Sequence, residues 1–304
     1  MGKRSNPPQR FAGVLNIFKP AGCTSRDIVN RVQRVFGRQV RVGHAGTLDP
    51  MATGVLLVCI GRATKLMPVI HEFCKSYQAD FTLGRSSDTD DATGNIKVWN
   101  VEEIPSLTQT QQFLKSQVGE IMQTPPAYSA VKLQGRRAYA MARKGEVIEI
   151  SPRAIEIFDI EILDYQYPKL SLKIRCGSGT YIRSIARDLG VALGTGGLMH
   201  GLARTRIGPF QLGNSLAIDS WEDAIANGAD PLSSCENVEL LFETWDQHIL
   251  SDADAEGLSH GRPLEVKHAG DRLAAYKQGK FVAILERKKG DQFKATLNWL
   301  PTMG

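Results

Sequence analysis

The chain has 304 residues, of which 42% are hydrophobic and 23% are charged, and its formal net charge is +5. The length allows one large domain and a small one, and the composition excludes a globally disordered chain. The basic excess is mild, so it permits a nucleic-acid-binding face without requiring one, and no apolar run approaches the ~20 residues that span a membrane.

The first third of the chain is predicted to contain short strands, helices and loops. Residues 1–10 are polar and basic, which predicts a disordered tail rather than a signal peptide. Residues 13–18 predict a strand, and Thr24 and Ser25 predict the cap of a helix that Gly37 ends. The elements that follow are a loop at 43–54, a buried strand at 55–60, helical spacing at 62–73, a strand at 77–83 and an acidic loop at 84–95.

The rest of the chain also mixes helices and strands. Its predicted elements are an amphipathic helix at 108–122, a partly helical basic segment at 127–147, strands near 153–165 and 168–176, a helix at 181–193, a mostly helical region at 214–245, and short strands at 272–276, 281–286 and 294–297. Because strands interleave with helices and many strands look hairpin-connected, the sequence predicts the α+β class.

The five cysteines are scattered, odd in number and without a C-x-x-C pair. This pattern argues against a structural zinc site and against a disulfide framework. A reducing compartment fits such cysteines best, so the sequence predicts a cytoplasmic protein.

The loop at 43–54 contains one acidic residue, Asp49, among glycines and turn-forming residues. Pro50 fixes its own φ and biases Asp49 away from the helical region, and the buried strand that follows anchors the loop. The pattern predicts a single carboxylate on a rigid support, which suits covalent or acid–base catalysis. An Asp-Pro pair by itself is only a common way to open a turn.

This loop resembles the catalytic motif G-H-x-G-x-L-D-P of the TruB family of tRNA pseudouridine synthases. Four further blocks resemble the family in the same order, so the resemblance covers at least residues 13–210. They are residues 15–25, similar to the motif K-P-x-G-x-T-S, residues 75–77, residues 125–145, and residues 177–190, similar to the motif G-T-Y-I-R.

The resemblance implies three catalytic residues. Asp49 would be the essential carboxylate, Tyr77 would stack against the target base, and Arg183 would pair with Asp49. Stacking on an aromatic ring is worth ~1–3 kcal/mol per base, and the phenol could also take a proton from C5 of the uracil. A guanidinium can hold a carboxylate through two hydrogen bonds, so we expect Arg183 to lower the pKa of Asp49.

The resemblance also implies residues that bind RNA. His44 would contact the flipped nucleotide, Tyr181 would pack beside the base, and Lys19 would shape the site or contact an RNA phosphate. A thumb insertion at about 124–150 would clamp the RNA through Lys132, Arg136, Arg137 and Arg143. Asp91, in the acidic loop, is expected to join the charges of Asp49 and Arg183.

The fold implied is a mixed, largely antiparallel sheet with flanking helices over residues 11–245, followed by a small β-rich, PUA-like RNA-binding domain at 250–304. The activity implied is conversion of uridine 55 (RNA numbering) in the T loop of tRNA to pseudouridine, with no cofactor and no metal. The partner would be the tRNA T stem-loop, bound by a monomer with no obligate protein partner and no membrane.

Two other functions stay open at this point. A protein that binds and remodels tRNA without chemistry would explain the basic thumb segment. It would not explain the pairing of Asp49 with Arg183. A carboxylate-dependent hydrolase would need a second carboxylate at a recognisable spacing, and the sequence offers none.

Overall fold

The computed structural model describes residues 11–129, 131–133, 136–142 and 149–300. The predicted tail at 1–10 and Arg143 lie outside these ranges. The described strands are β1 (Ala12–Lys19), β2 (Val42–His44), β3 (Thr53–Gly61), β4 (Lys75–Leu83), β5 (Arg85–Ser87), β6 (Ile96–Val98), β7 (Gly119–Gln123), β8 (Lys132–Leu133), β9 (Arg136–Arg137), β10 (Arg153–Gln166), β11 (Lys169–Cys176), β12 (Gly197–Ile207), β13 (Phe210–Gln211), β14 (Leu216–Ala217), β15 (Gln247–Ile249), β16 (Leu264–Glu265), β17 (Arg272–Lys277), β18 (Lys280–Lys289) and β19 (Gln292–Asn298).

The α-helices of the described chain are α1 (Ser25–Phe36), α2 (Met67–Glu72), α3 (Leu107–Ser116), α4 (Ala138–Ala142), α5 (Ile182–Ala192), α6 (Ile218–Ala226) and α7 (Asp252–Ser259). Three 3-10 helices lie at Arg62–Leu66, Leu212–Asn214 and Val238–Phe242.

A ten-stranded sheet forms the centre of the fold, in the order β14-β1-β3-β12-β4-β11-β10-β7, with β2 on β3 and β13 on β12. Among its described pairs, β1 with β14 and β3 with β12 are parallel and the others are antiparallel. The prediction of an α+β fold with a mixed, largely antiparallel sheet is therefore confirmed.

Helix α1 shows how local sequence places an element on this sheet. The Thr24 side chain accepts a hydrogen bond from the Asp27 amide and caps the helix, and Gly37 ends it with φ +83°. The apolar face of α1, including Ile28 and Val32, packs against buried residues of β1 and β3. The predicted start, face and end of this helix are all confirmed.

Two predicted helical regions are wrong in part. Helix α3 ends at Ser116, and residues 119–123 form the edge strand β7 because Gly119 (φ +105°) turns the chain into pairing with β10. In the region predicted to be mostly helical, α6 covers Ile218–Ala226 and a short 3-10 helix covers Val238–Phe242. In both regions tertiary pairing and packing override helical spacing.

A second sheet follows in the order β15-β17-β18-β19-β16 and contains all three of the short strands predicted near the carboxyl end. It has a core of its own, but it also shares a buried cluster with the first sheet. The rings of Phe242 and Phe281 stack there with centroids 4.0 Å apart. This apolar contact fixes the second sheet against the first.

The parallel contact of β3 with β12 positions the Asp49 loop. It consists of two residue pairs, of which one joins Gly54 to Arg204. Gly54 has φ +109°, and a Cβ added there would lie 2.2 Å from the main-chain oxygen of Arg204. Only glycine allows this close approach, so packing alone requires a glycine at position 54, whatever the loop does in catalysis.

Replacing Gly54 by alanine is expected to lower the free energy of unfolding by about 3 kcal/mol or more, because strained φ and overpacking each cost about 1–3 kcal/mol. Gly22→Ala is the matched control, since Gly22 also has a positive φ (+84°) but nothing lies within 4 Å of an added Cβ. Urea unfolding of both variants measures the difference. Equal losses would show that the approach of Arg204 imposes no cost.

Candidate active site

Asp49 lies in the loop between β2 and β3, at the seam of the large sheet. The beginning of α1 holds this loop, because Ser25 Oγ donates to the Leu48 carbonyl at 3.1 Å and accepts from the Leu48 amide at 2.9 Å. The Asp49 side chain is 32% exposed, so the loop leaves it partly accessible from outside the protein.

Lys19 supports the same loop from below. It is 0% exposed, and its Nζ donates to the carbonyls of Pro20 (2.8 Å), Cys23 (2.8 Å) and Pro50 (3.3 Å). Burial lowers the pKa of this ammonium group. The suggested contact of Lys19 with an RNA phosphate is contradicted by this burial, whereas the alternative suggestion, that Lys19 shapes the site, agrees with its contacts.

Arg183 contacts two carboxylates. Its Nε lies 3.1 Å from Asp49 Oδ2 and its Nη2 donates to Asp49 Oδ1 at 3.4 Å, while its Nη1 lies 3.2 Å from Asp91 Oδ2. The other Asp91 oxygen accepts from the Thr93 amide at 2.9 Å. The structure therefore brings together the three charged groups that the sequence singled out.

The pKa of Asp49 shifts in the direction opposite to our expectation. Burial raises it more than Arg183 lowers it, and the neighbouring charge of Asp91 raises it further. The expected pairing is present, but the removal of water around the carboxylate is the larger effect. Arg183 thus offsets part of the cost of ionising Asp49, but the net shift of the pKa stays upward.

Tyr77 lies on β4 and is buried in the same apolar cluster as Leu48 and Ala52 of the loop. Burial raises the pKa of its phenol, and Arg204 opposes this shift in part. The phenol therefore keeps its proton in the free protein. The predicted stacking of its ring on a base stays a prediction, and the phenol would have to lose its own proton before accepting one from carbon.

Arg204 on β12 is a residue that the sequence prediction missed. It is 2% exposed, and it donates to the carbonyls of Val55 (2.8 Å), Thr47 (3.3 Å) and Gly46 (3.2 Å). These bonds tie both arms of the Asp49 loop to the central strand. The sequence around it, Leu-Ala-Arg-Thr-Arg-Ile at 202–207, was not predicted as a strand and gives no local sign of a buried cation.

His44 ends β2 close to the loop and is half-buried. Burial lowers its pKa, with a further contribution from Arg204, so the imidazole is neutral at pH 7. Its Nδ1 is buried, and none of the residues that the structure describes forms a hydrogen bond with it. The predicted contact of His44 with a nucleotide stays a prediction.

Helix α5 anchors the first residues of the predicted thumb. Arg183 Nη2 donates to the Tyr128 carbonyl at 3.1 Å, and the Thr124 carbonyl accepts from Ser184 Oγ and from Arg187 Nη2, each at 2.9 Å. Arg187 also pairs with Asp90 of the acidic loop at 2.9 Å. The sequence prediction did not single out Arg187, which joins two segments distant in the chain.

The thumb cations are described only in part. Arg136 is exposed on β9, and the main chains of Lys132 and Arg137 pair between β8 and β9. Arg143 lies outside the described residues. Their contacts with RNA therefore stay predictions.

Over the described ranges, no group of three or more His, Cys, Asp or Glu residues is placed to hold a metal ion. Within the same part of the chain, no helix is both long and apolar enough to span a membrane.

Comparisons with known proteins show which family and which relatives the chain resembles. Residues 33–182 match the family model described as TruB family pseudouridylate synthase (N terminal domain). A protein of Mycobacterium sp. (strain KMS) named tRNA pseudouridine synthase B is 40% identical over 283 residues, which are 90% of this chain and 92% of the relative. A relative of the same name from Gloeobacter violaceus is 48% identical over 224 residues, 72% of this chain and 76% of its own.

Two solved structures share the fold. A crystal structure of a Cbf5-Nop10-Gar1 complex superposes with a TM-score of 0.73 at 25% identity, over 95% of this chain and 85% of the matched one. An H/ACA RNP bound to a substrate RNA containing 2′-deoxyuridine gives a TM-score of 0.71 at 23% identity, over 96% and 86% of the two chains.

The raised pKa of Asp49 predicts how an Asp49→Asn variant depends on pH. The folded wild type holds the Asp49 proton more tightly than the unfolded chain does, so this group's contribution to stability falls as pH rises above about 4. The variant lacks that contribution. Its free energy of unfolding, relative to wild type, is expected to increase between about pH 4 and pH 7 in urea titrations. A decrease over this range would mean that Arg183 outweighs burial.

Proposed function

Because the chain belongs to the TruB family of pseudouridylate synthases, we propose that it converts uridine 55 (RNA numbering) of the tRNA T loop to pseudouridine. The observation that carries the proposal is the contact of Arg183 with Asp49, whose partly exposed side chain is held on a well-anchored loop. The relatives named tRNA pseudouridine synthase B support tRNA as the substrate.

The reaction exchanges one bond of the ribose for another. The N1–C1′ bond of the uridine breaks, the uracil rotates, and a C5–C1′ bond forms, while C5 loses a proton and N1 gains one. No electrons are gained or lost overall, so the proposal needs no cofactor. Ionised Asp49 acts at C1′, either as a nucleophile or by assisting the cleavage by another route.

The target base must leave its stack before Asp49 can reach the sugar. In this proposal Tyr77 supports the extruded uracil, Tyr181 packs beside it, and His44 contacts the flipped nucleotide. Arg183 keeps Asp49 available as a carboxylate against the cost of burial. Exposed cations of the thumb follow the RNA backbone.

The organisation of the protein belongs to the same proposal. Residues 11–245 would form the catalytic domain, with its thumb at about 124–150, and residues 250–304 a PUA-like RNA-binding domain. We propose that the chain acts as a monomer in the cytoplasm without an obligate protein partner, because the catalytic groups proposed here all come from one chain.

The first test uses a T-arm stem-loop RNA with tritium on C5 of its uracils. Wild type is expected to release tritium, and Asp49→Asn to release it about a thousandfold more slowly or not at all, because the carboxylate acts on the reacting atoms. RNA affinity should stay within a few fold. Asp164→Asn, an exposed substitution of the same kind on β10, serves as the control.

The other outcomes of this test are equally informative. Lost RNA binding by Asp49→Asn would mean that Asp49 is structural. Binding by both proteins without tritium release from either would favour an RNA-binding protein without chemistry, and the enzymatic proposal would be withdrawn for this RNA.

A second test addresses the phenol of Tyr77. Tyr77→Phe keeps the buried ring and removes only the hydroxyl, so RNA binding should persist while the rate of tritium release falls at least about tenfold. Tyr165→Phe is the matched control. Tyr165 lies on β10, and this variant also loses a hydroxyl, one that donates to the Pro105 carbonyl. Full activity of Tyr77→Phe would remove the phenol from the mechanism.

A further inference from the structure

The main chain of Tyr181, just before α5, is held on both sides by one buried side chain. Gln123 Nε2 donates to the Tyr181 carbonyl at 3.0 Å, and Gln123 Oε1 accepts from the Tyr181 amide at 2.8 Å. Gln123 is the last residue of β7 and is buried. These two bonds fix the backbone of Tyr181, but they leave the torsions of its ring free.

Arg153 supplies a contact to the ring itself. Its guanidinium carbon lies 4.9 Å from the centroid of the Tyr181 ring, and its Nη2 donates to the Gly179 carbonyl. Gly179 has φ +85°, and a Cβ there would lie 3.3 Å from Nη2, so the glycine leaves room for the guanidinium. Arg153 and Gln123 are register partners across β10 and β7, so one rung of the sheet holds both the backbone and the ring.

The contact persists although it leaves a hydrogen bond unmade. Arg153 Nε is buried and has no hydrogen-bond partner among the described residues, which is unfavourable for a donor. A cation over an aromatic face is attracted to the ring, which favours this position of the guanidinium. The ring contact and the hydrogen bond from Nη2 to the Gly179 carbonyl together account for the position of the guanidinium.

We propose that Arg153 is a positioning residue that covers one face of the Tyr181 ring and so presents the opposite face to the extruded uracil. The inference rests on the proposed function. Arg183, which holds Asp49, follows two residues after Tyr181 in the same rigid segment. Fixing the ring thus fixes the base relative to the carboxylate, and small misplacements of reacting groups have large effects on rate.

The test compares Arg153→Met with Arg175→Met. Arg175 is a matched control, because it also lies over an aromatic ring, 5.1 Å from the centroid of Phe158, on the neighbouring strands β11 and β10. The readouts are the single-turnover rate of tritium release at saturating T-arm RNA and the RNA dissociation constant at several salt concentrations. Arg153→Met should slow the rate about tenfold and leave the dissociation constant within about threefold. Arg175→Met should change neither.

A double variant separates positioning from simple RNA binding. In a Tyr181→Leu background, Arg153→Met should slow the reaction by less than about twofold further, because the ring it positions is absent. Independent, fully additive effects would overturn the proposal. Weaker RNA binding would also overturn it if the slope of log affinity against log salt concentration became smaller by about one. Such a change indicates the loss of a phosphate contact.

If Arg153→Met fails to fold, Arg153→Lys takes its place, because it keeps the charge and most of the stem but loses the planar group. This variant should show the same loss of rate at unchanged affinity. A wild-type rate would overturn the inference. If wild type itself releases no tritium, the proposed function fails. An active wild type with an equally active Arg153→Met overturns the positioning role alone.

Discussion

The site depends on one buried guanidinium that faces two carboxylates. Arg183 is 7% exposed and contacts both Asp49 and Asp91, which lie on loops distant in sequence. Removing such charges from water costs several kcal/mol per ion, and the attraction of partners repays this only with good geometry. Asp91 meets that condition through additional hydrogen bonds from its own loop. For Asp49 the loss of water is the larger effect, since burial raises the pKa of its carboxyl more than Arg183 lowers it.

A second constraint acts on the main chain of the Asp49 loop. Its carbonyls point toward cations beneath it, with Lys19 bonded to Pro50 and Arg204 bonded to Gly46 and Thr47. Buried carbonyls need partners, and here side chains supply what a regular sheet would otherwise provide. The loop is therefore rigid because its backbone is bonded on both arms, in addition to the stiffness that Pro50 contributes.

The sequence predicted the parts of the site that local pattern controls. Asp49 and its anchoring strand, the capped helix α1 and the motif with Arg183 all have short-range signatures. The sequence could not reveal Arg204, because its role depends on the pairing of β12 with β3, two strands separated by more than a hundred residues. The direction of the Asp49 pKa shift could not be predicted either, because burial is a property of the whole fold. Strand β7 was mistaken for helix because pairing with β10 overrode local spacing.

The unfavourable burial of a polar atom beside the Asp49 loop is compensated by the apolar packing of the strand that follows the loop. Within the described part of the chain, the buried His44 Nδ1 has no hydrogen-bond partner, which costs about 1–3 kcal/mol. Strand β3 is buried at every residue from Gly54 to Ile60 and packs into clusters on both faces, which offsets such costs. If β3 were less buried, the loop could relax and hydrate the His44 imidazole. Water would then weaken the attraction between Asp49 and Arg183. The continuous apolar sequence of β3 is thus a requirement of the chemistry as much as of the fold.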